Sequence, residues 1–350
     1  MKKRKFTSTA AAMLSAAFIL LIISEPQLCT RGAAEGLLLC GRVIIPSLFP
    51  FTVCVLFILK SGVLSWLKYI SPVTERIFHL NGEMFTLMLL SFIGGYPIGA
   101  KLLNEAVSLK KLSPEKAGIM LNYCVNAGPA FVILAVGNGI LGSKKAGYIL
   151  LSAHIISSFL LAFICSFFIK KSNDDTPGKT VYTGAADNFV LSVSEASSAV
   201  LGICAYVIFF STVTAYIDGC KLPFIKNAAY ILEVTNAVAL TDNILIISFL
   251  LGFGGLSVWF QVFSLGRGLK INITAFAVSR ILHGIISAGI TAVFLKLFRV
   301  SISVFSSGRA SFAPSYGTLA LSLSMLIMVI IFIISVYTKK RTGKILDDLL

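Results

Sequence analysis

One stretch constrains this chain more than any other: residues 147–169 run for 23 residues without an Asp, Glu, Lys or Arg. A helix needs about 20 residues to cross a hydrocarbon core about 30 Å thick, so this stretch can span a membrane. Further apolar runs of similar length lie at 6–24, 37–59, 117–137, 188–217, 272–298 and 316–338. Of the 350 residues, 57% are hydrophobic and 13% charged, where a soluble domain carries about 25% charge. A soluble fold of this size could not cover so much apolar surface. That excludes a soluble enzyme, a DNA-binding domain and a secreted disulfide scaffold, and predicts an all-α, polytopic membrane protein.

The formal charge of +15 would suggest nucleic acid in a soluble chain. Here the basic residues cluster between apolar spans: Lys2–Lys5, Lys110/Lys111/Lys116, Lys170/Lys171/Lys179, and Lys339–Arg341 with Lys344. Such clusters orient spans and meet anionic headgroups, so membrane lipids are the expected partners and nucleic acid is not. The seven cysteines form no C-x-x-C pair and lie mostly in apolar runs, which reads as small apolar fillers rather than disulfides or a metal site. The basic start and the apolar run 6–23 have the layout of a signal peptide, but no A-x-A cleavage site follows. An uncleaved anchor helix is expected.

Two regions do not read as simple spans. Residues 84–108 carry Gly94-Gly-Tyr-Pro-Ile-Gly99, and residues 229–266 carry Gly252-Phe-Gly-Gly255. Clusters of this kind interrupt helices, and broken backbone at membrane depth is tolerated only inside protein or against a wet cavity. Both are read as re-entrant hairpins. The first enters and returns on the cytoplasmic side, between the basic groups Lys60/Lys68/Arg76 and Lys110/Lys111/Lys116. The second enters from the opposite face, and the count leaves the basic C-terminus outside.

The halves echo each other. Ser91-Phe-Ile-Gly-Gly-Tyr96 and Ser248-Phe-Leu-Leu-Gly-Phe253 are each followed by a small-residue turn, a basic link (109–112; 267–270) and a span. Inverted repeats with broken helices are a common build of secondary transporters, with substrate near the repeat interface. The expected architecture is therefore about seven full spans plus two hairpins in two inverted repeats. Its divisions are 1–34 (anchor helix), 35–145 (first repeat), 146–187 (connecting span and cytoplasmic link), 188–298 (second repeat) and 299–350 (last span and basic tail).

Polar residues inside spans are functional candidates because they are costly there. The first half offers Lys101, Asn104, Asn122 and Asn126, with Asn126-Ala-Gly128-Pro129 breaking its span. The second offers Glu233, Thr235, Asn236 and Asp242, then Gln261, Arg280 and His283. Arg280 and His283 are three apart and share a helix face, which suits an anion; the alternative is structural pairing with Glu233 or a backbone carbonyl. Lys101 reads as substrate-facing or as snorkelling to the surface. Glu195 fits a helix end or a lumen, and His154 reads as a satisfied core histidine. No G-x-x-x-x-G-K-[ST], H-E-x-x-H or G-x-S-x-G motif occurs, so no enzyme, cofactor or metal is expected.

Taken together, Ile45-Pro-Ser-Leu-Phe-Pro-Phe51, Gly95-Tyr-Pro-Ile-Gly-Ala-Lys101, Asn126-Ala-Gly-Pro-Ala-Phe-Val132, Leu232-Glu-Val-Thr-Asn236 and Gly252-Phe-Gly-Gly-Leu-Ser-Val258 with Gln261 resemble the YlbJ-like sporulation integral membrane proteins, within the nucleoside-recognition (Gate) domain family. The resemblance covers roughly residues 35–295. It implies two Gate-type repeats, a place in the bacterial cell membrane (mother-cell or outer forespore membrane) and a role in endospore formation, with dipicolinic acid as cargo and other sporulation membrane proteins or a second copy as partners. The substrate site is then expected at Gly95, Tyr96, Pro97, Lys101, Asn126, Gly128, Pro129, Glu233, Thr235, Asn236, Gly254, Gly255, Ser257, Gln261, Arg280 and His283. A transporter of nucleosides or other small metabolites, and a non-transporting scaffold of a sporulation complex, are the alternatives.

Overall fold

The computed structural model describes residues 12–61, 69–169, 184–219 and 229–298, apart from 14, 17 and 21. Parts of the predicted span 6–24, the link 172–179, the predicted span 316–338 and the basic tail lie outside the described residues. Every regular element among those described is helical.

In chain order, α1 (Pro26–Leu39) passes through a π-helical stretch, Cys40–Ile44, into α2 (Ile45–Ser61). A short α3 (Ser71–Phe78) leads to α4 (Gly82–Gly94), α5 (Ile98–Ser108) and α6 (Pro114–Met120). After a non-helical stretch comes a second π-helical run, Ala130–Ile140, then α7 (Lys144–Ser166) and α8 (Ala185–Gly219). The short α9 (Ala229–Leu232) and α10 (Val234–Ala239) precede α11 (Ile244–Phe253), α12 (Gly255–Leu265) and α13 (Ile273–Leu297).

The helix starts are written into the sequence. The side chains of Asn81, Ser113, Ser143, Asn243 and Asn272 each accept a backbone N–H from the turn they open, satisfying a donor that a helix start leaves orphaned. Between the caps, α7, α8, α13 and the joined run Ile244–Leu265 are long and apolar enough to cross a membrane. Small residues let the helices approach closely. A Cβ added to Gly32 of α1 would lie 2.7 Å from the Ser211 carbonyl oxygen of α8, and one added to Gly252 would lie 2.6 Å from the Gly284 Cα of α13.

In the region of the first predicted hairpin, α4 and α5 pack on each other and meet at Gly95-Tyr96-Pro97, with a cis Tyr96–Pro97 bond. The region of the second predicted hairpin is built differently. Its first half, α11, packs antiparallel along α13, and α12 carries on in the same direction towards the start of α13. Ser248 bonds Ser287 and Thr291 at 2.9 Å near one end, Gly252 abuts Gly284 in the middle, and Trp259 and Phe263 pack on Phe276 at 5.5 and 5.3 Å near the other. A hairpin tipped at Gly254–Gly255 would bring both legs back to one end of α13. The positive-φ glycines (83° and 74°) thus interrupt a crossing of 22 residues, about 33 Å at helical rise.

The inverted relation of the two predicted repeats is corrected with it. Gly268 donates its N–H to the Asn104 side chain at 2.8 Å, Lys270 donates its N–H to the Pro114 carbonyl at 3.1 Å, and its ammonium meets Glu115 at 3.2 Å. Asn104 and Pro114 bracket the first basic link, so both links lie at one face. Inversion would set them on opposite faces.

Candidate functional site

Pro129 lacks an N–H and disfavours helix at the residue before it, and Gly128 adds backbone freedom. The chain accordingly leaves the helix over 121–128, yet residues 121–127 are all buried and Gly128 is half-buried. Backbone freed from a helix must find partners when no water reaches it. Here side chains from two other helices, α13 and α7, and that of Asn126 itself supply them. Arg280 of α13 donates Nη1–H to the Val125 carbonyl and Nη2–H to the Asn122 carbonyl. Ser158 of α7 donates to the Tyr123 carbonyl at 2.6 Å, and Asn126 Nδ2 donates to the same carbonyl at 2.8 Å and to Ser91 Oγ of α4 at 3.3 Å. The Ala127 N–H donates to His154 Nε2 at 2.9 Å.

Those bonds settle the histidine protons. A backbone N–H can only donate, so His154 Nε2 carries a lone pair and the neutral ring holds its proton on Nδ1. His283 Nε2 lies 3.1 Å from the His154 carbonyl, which can only accept, so His283 carries its proton on Nε2. The two rings stack with centroids 4.3 Å apart. His154 is buried and bonded, the satisfied core histidine that the sequence suggests. Its partners, a broken backbone and the ring of His283, are not announced by anything local to its apolar helix.

Arg280 is 1% exposed. Its guanidinium lies 5.5 Å from the Phe276 ring, and among the described residues no carboxylate is within ion-pair distance of it. The structural partner envisaged for it is thus a pair of backbone carbonyls. Leaving a polar atom buried and unpaired costs about 1–3 kcal/mol. Around this break the unpaired side-chain atoms are Arg280 Nε, His154 Nδ1, His283 Nδ1, Asn126 Oδ1, and the hydroxyls of Tyr123 and Tyr96. Tyr96 belongs to the same place because the hairpin tip rests on the break. A Cβ added to Gly95 would lie 2.9 Å from the Gly128 nitrogen, and one on Gly99 only 1.7 Å from the Cys124 carbonyl oxygen.

The fold therefore brings Gly95, Tyr96 and Pro97 onto Asn126, Gly128 and Pro129, with Arg280 and His283 behind them. A second group forms where Gly255 meets the gap between α9 and α10. A Cβ there would lie 3.1 Å from the Val234 nitrogen. Glu233 is buried in that gap and Thr235 half-buried beside it; the side chain of Asn236 lies outside the described residues. Glu233 lies within electrostatic range of Tyr96 in the first group. Gln261 and Ser257 bond each other at 3.1 Å. Lys101 is placed apart: it meets Glu195 at 3.2 Å and Glu105 at 3.6 Å, while Lys60 meets the same two carboxylates at 3.0 and 2.6 Å. This ring of two cations and two anions ties α2, α5 and α8 together.

Over 316 residues the chain is 21% identical to the sporulation integral membrane protein YlbJ of Bacillus subtilis (strain 168), covering 76% of this chain and 78% of that one. No protein-family model matches the chain, and no solved structure does.

Proposed function

We propose that this chain, YlbJ-like by that likeness, is a permease for a small anionic metabolite, with dipicolinate moved during endospore formation as the leading cargo. The observation that carries the reading is the buried break at 121–128, where Arg280 holds a positive charge with no carboxylate against it among the described residues. A desolvated cation with an unpaired N–H is a strong carboxylate partner. The rings of Tyr96 and Tyr123 offer faces to a planar aromatic. A hairpin tip resting on a broken span, rather than fused to it, is an arrangement that can open to one side and then the other.

The test is saturable uptake of radiolabelled dipicolinate into proteoliposomes of the full chain, compared with Arg280→Gln. Uptake that the substitution abolishes, from protein that still elutes as a folded particle, supports the reading. Folded protein that takes up nucleosides and not dipicolinate favours the nucleoside alternative, for which the free Asn126 Oδ1 is suited to a base N–H. A chain that moves neither and tolerates replacement of Tyr96 and Arg280 in sporulating cells is a scaffold.

A further inference from the structure

The unpaired atoms at the break differ in kind, and the bonds around them decide which is which. Arg280 Nε–H and His154 Nδ1–H are donors. Asn126 Oδ1 is an acceptor, because its amide nitrogen is committed to the Tyr123 carbonyl. His283 Nδ1 is an acceptor, because its Nε2–H is committed to the His154 carbonyl. The hydroxyls of Tyr96 and Tyr123 serve either way.

A fully deprotonated dianion can use the donors only. It would leave two buried acceptors facing added negative charge, each costing desolvation with no bond in return. Charge points the same way. Arg280 contributes one positive charge here, and Lys101 is committed to Glu105 and Glu195. The other titratable groups around the pair are Tyr123 and Cys124 on the break, His154 and Cys165 on α7, Tyr96 at the hairpin tip, and Glu233 beyond it. None of these adds a fixed positive charge while His154 accepts from Ala127.

Building on the permease reading, we infer that the site takes its anion in a singly protonated form, so that one proton crosses with each anion. The carboxylate sits against Arg280 Nε–H and a tyrosine hydroxyl, and the ligand's acid O–H or ring N–H goes to Asn126 Oδ1 or His283 Nδ1. No bond to the protein is made or broken; the proton enters and leaves on the ligand. His154 keeps its lone pair on the Ala127 N–H throughout, which holds the break in place while the ligand passes.

The experiment uses proteoliposomes of the full chain with a pH dye in the lumen. Initial rates of radiolabelled dipicolinate uptake are measured from pH 5.5 to 7.5 at low ligand concentration, and the leak of protein-free vesicles is subtracted. The expected result is a rate that falls about tenfold per pH unit, as the singly protonated fraction does above the ligand's second acid constant, with lumenal acidification that tracks uptake. His283→Phe keeps a ring against His154 but loses the acceptor together with the bond to the His154 carbonyl, and is expected to lower uptake at least severalfold without lowering the melting temperature of the purified protein by a comparable margin. Saturable uptake that is flat in pH and leaves the lumen unacidified overturns the proton inference and leaves the permease reading standing. Folded protein with no saturable uptake at any pH overturns both for this anion.

Discussion

The chain breaks its helices at two glycine-marked places, and the breaks do different work. At 121–128 the backbone leaves the helix for eight residues, and side chains from α7 and α13 take over its hydrogen bonds. Polar atoms remain unpaired around it. At Gly254–Gly255 the interruption is a two-residue kink inside a crossing helix. The polar groups beside it are paired: Ser248 with Ser287 and Thr291, Gln261 with Ser257, and Trp259 Nε1–H with the Phe253 carbonyl at 2.9 Å. A glycine cluster therefore says that a helix is interrupted. Whether the interruption makes a binding place depends on what surrounds it.

Cysteine labelling tests this contrast with the largest effect. With α11–α12 as a crossing, Arg267→Cys and Lys110→Cys in a cysteine-free background react from the same face, and Asp242→Cys from the other. Labelling of Arg267→Cys and Lys110→Cys from opposite faces would restore the second hairpin. Next comes Arg280→Met, which uncaps two buried carbonyls and is expected to cost about 2–6 kcal/mol, at about 1–3 for each orphaned acceptor; the fraction of folded protein in a denaturant series measures it. A loss under about 1 kcal/mol would mean that the break holds itself together.

Steric substitutions sharpen the comparison on a smaller scale. Gly99→Ala drives a Cβ into the Cys124 carbonyl and is expected to destabilise by about 3 kcal/mol or more, at the high end of overpacking costs. Gly254→Ala has open space, with Val258 at 3.5 Å, and meets chiefly the left-handed backbone penalty of about 1–2 kcal/mol. Melting temperatures should rank the two in that order, and the reverse ranking would place the tighter break in the second half. Ser248→Ala removes interhelical bonds worth about 0.6 kcal/mol in a membrane protein, so a shift beyond about 2 kcal/mol would show that α11 depends on that contact far more than its geometry suggests.

Much of this was legible in the residues, and the misses have physical causes. Asn126-Ala-Gly-Pro129 marked the broken span because proline and glycine act locally. Arg280 and His283 stood out because charge and imidazole are costly in an apolar helix. His154 is the satisfied core histidine that the sequence suggested, but one histidine on a long apolar helix does not say that its partner is a backbone N–H 27 residues away. Lys101 was drawn into the site by its nearness to the hairpin tip, while its side chain lies with Lys60, Glu105 and Glu195. The second hairpin was drawn from glycines alone. What separates a kink from a turn there is that contacts run from Ser287 and Thr291 to Phe276 of α13 as the chain passes from Ser248 to Phe263.

The sequence by itself determined that the chain is apolar enough for a membrane, where its helices begin and where they break, because hydropathy, caps, glycine and proline act over a few residues. Only the tertiary structure decided which break is left with unpaired polar atoms, which cations are neutralised and on which face the second link emerges. Those outcomes depend on side chains brought together from more than a hundred residues apart, as Arg280 is to Asn122 and Val125. The hydrogen-bond demand of buried backbone made those meetings necessary, but no local pattern names the partners.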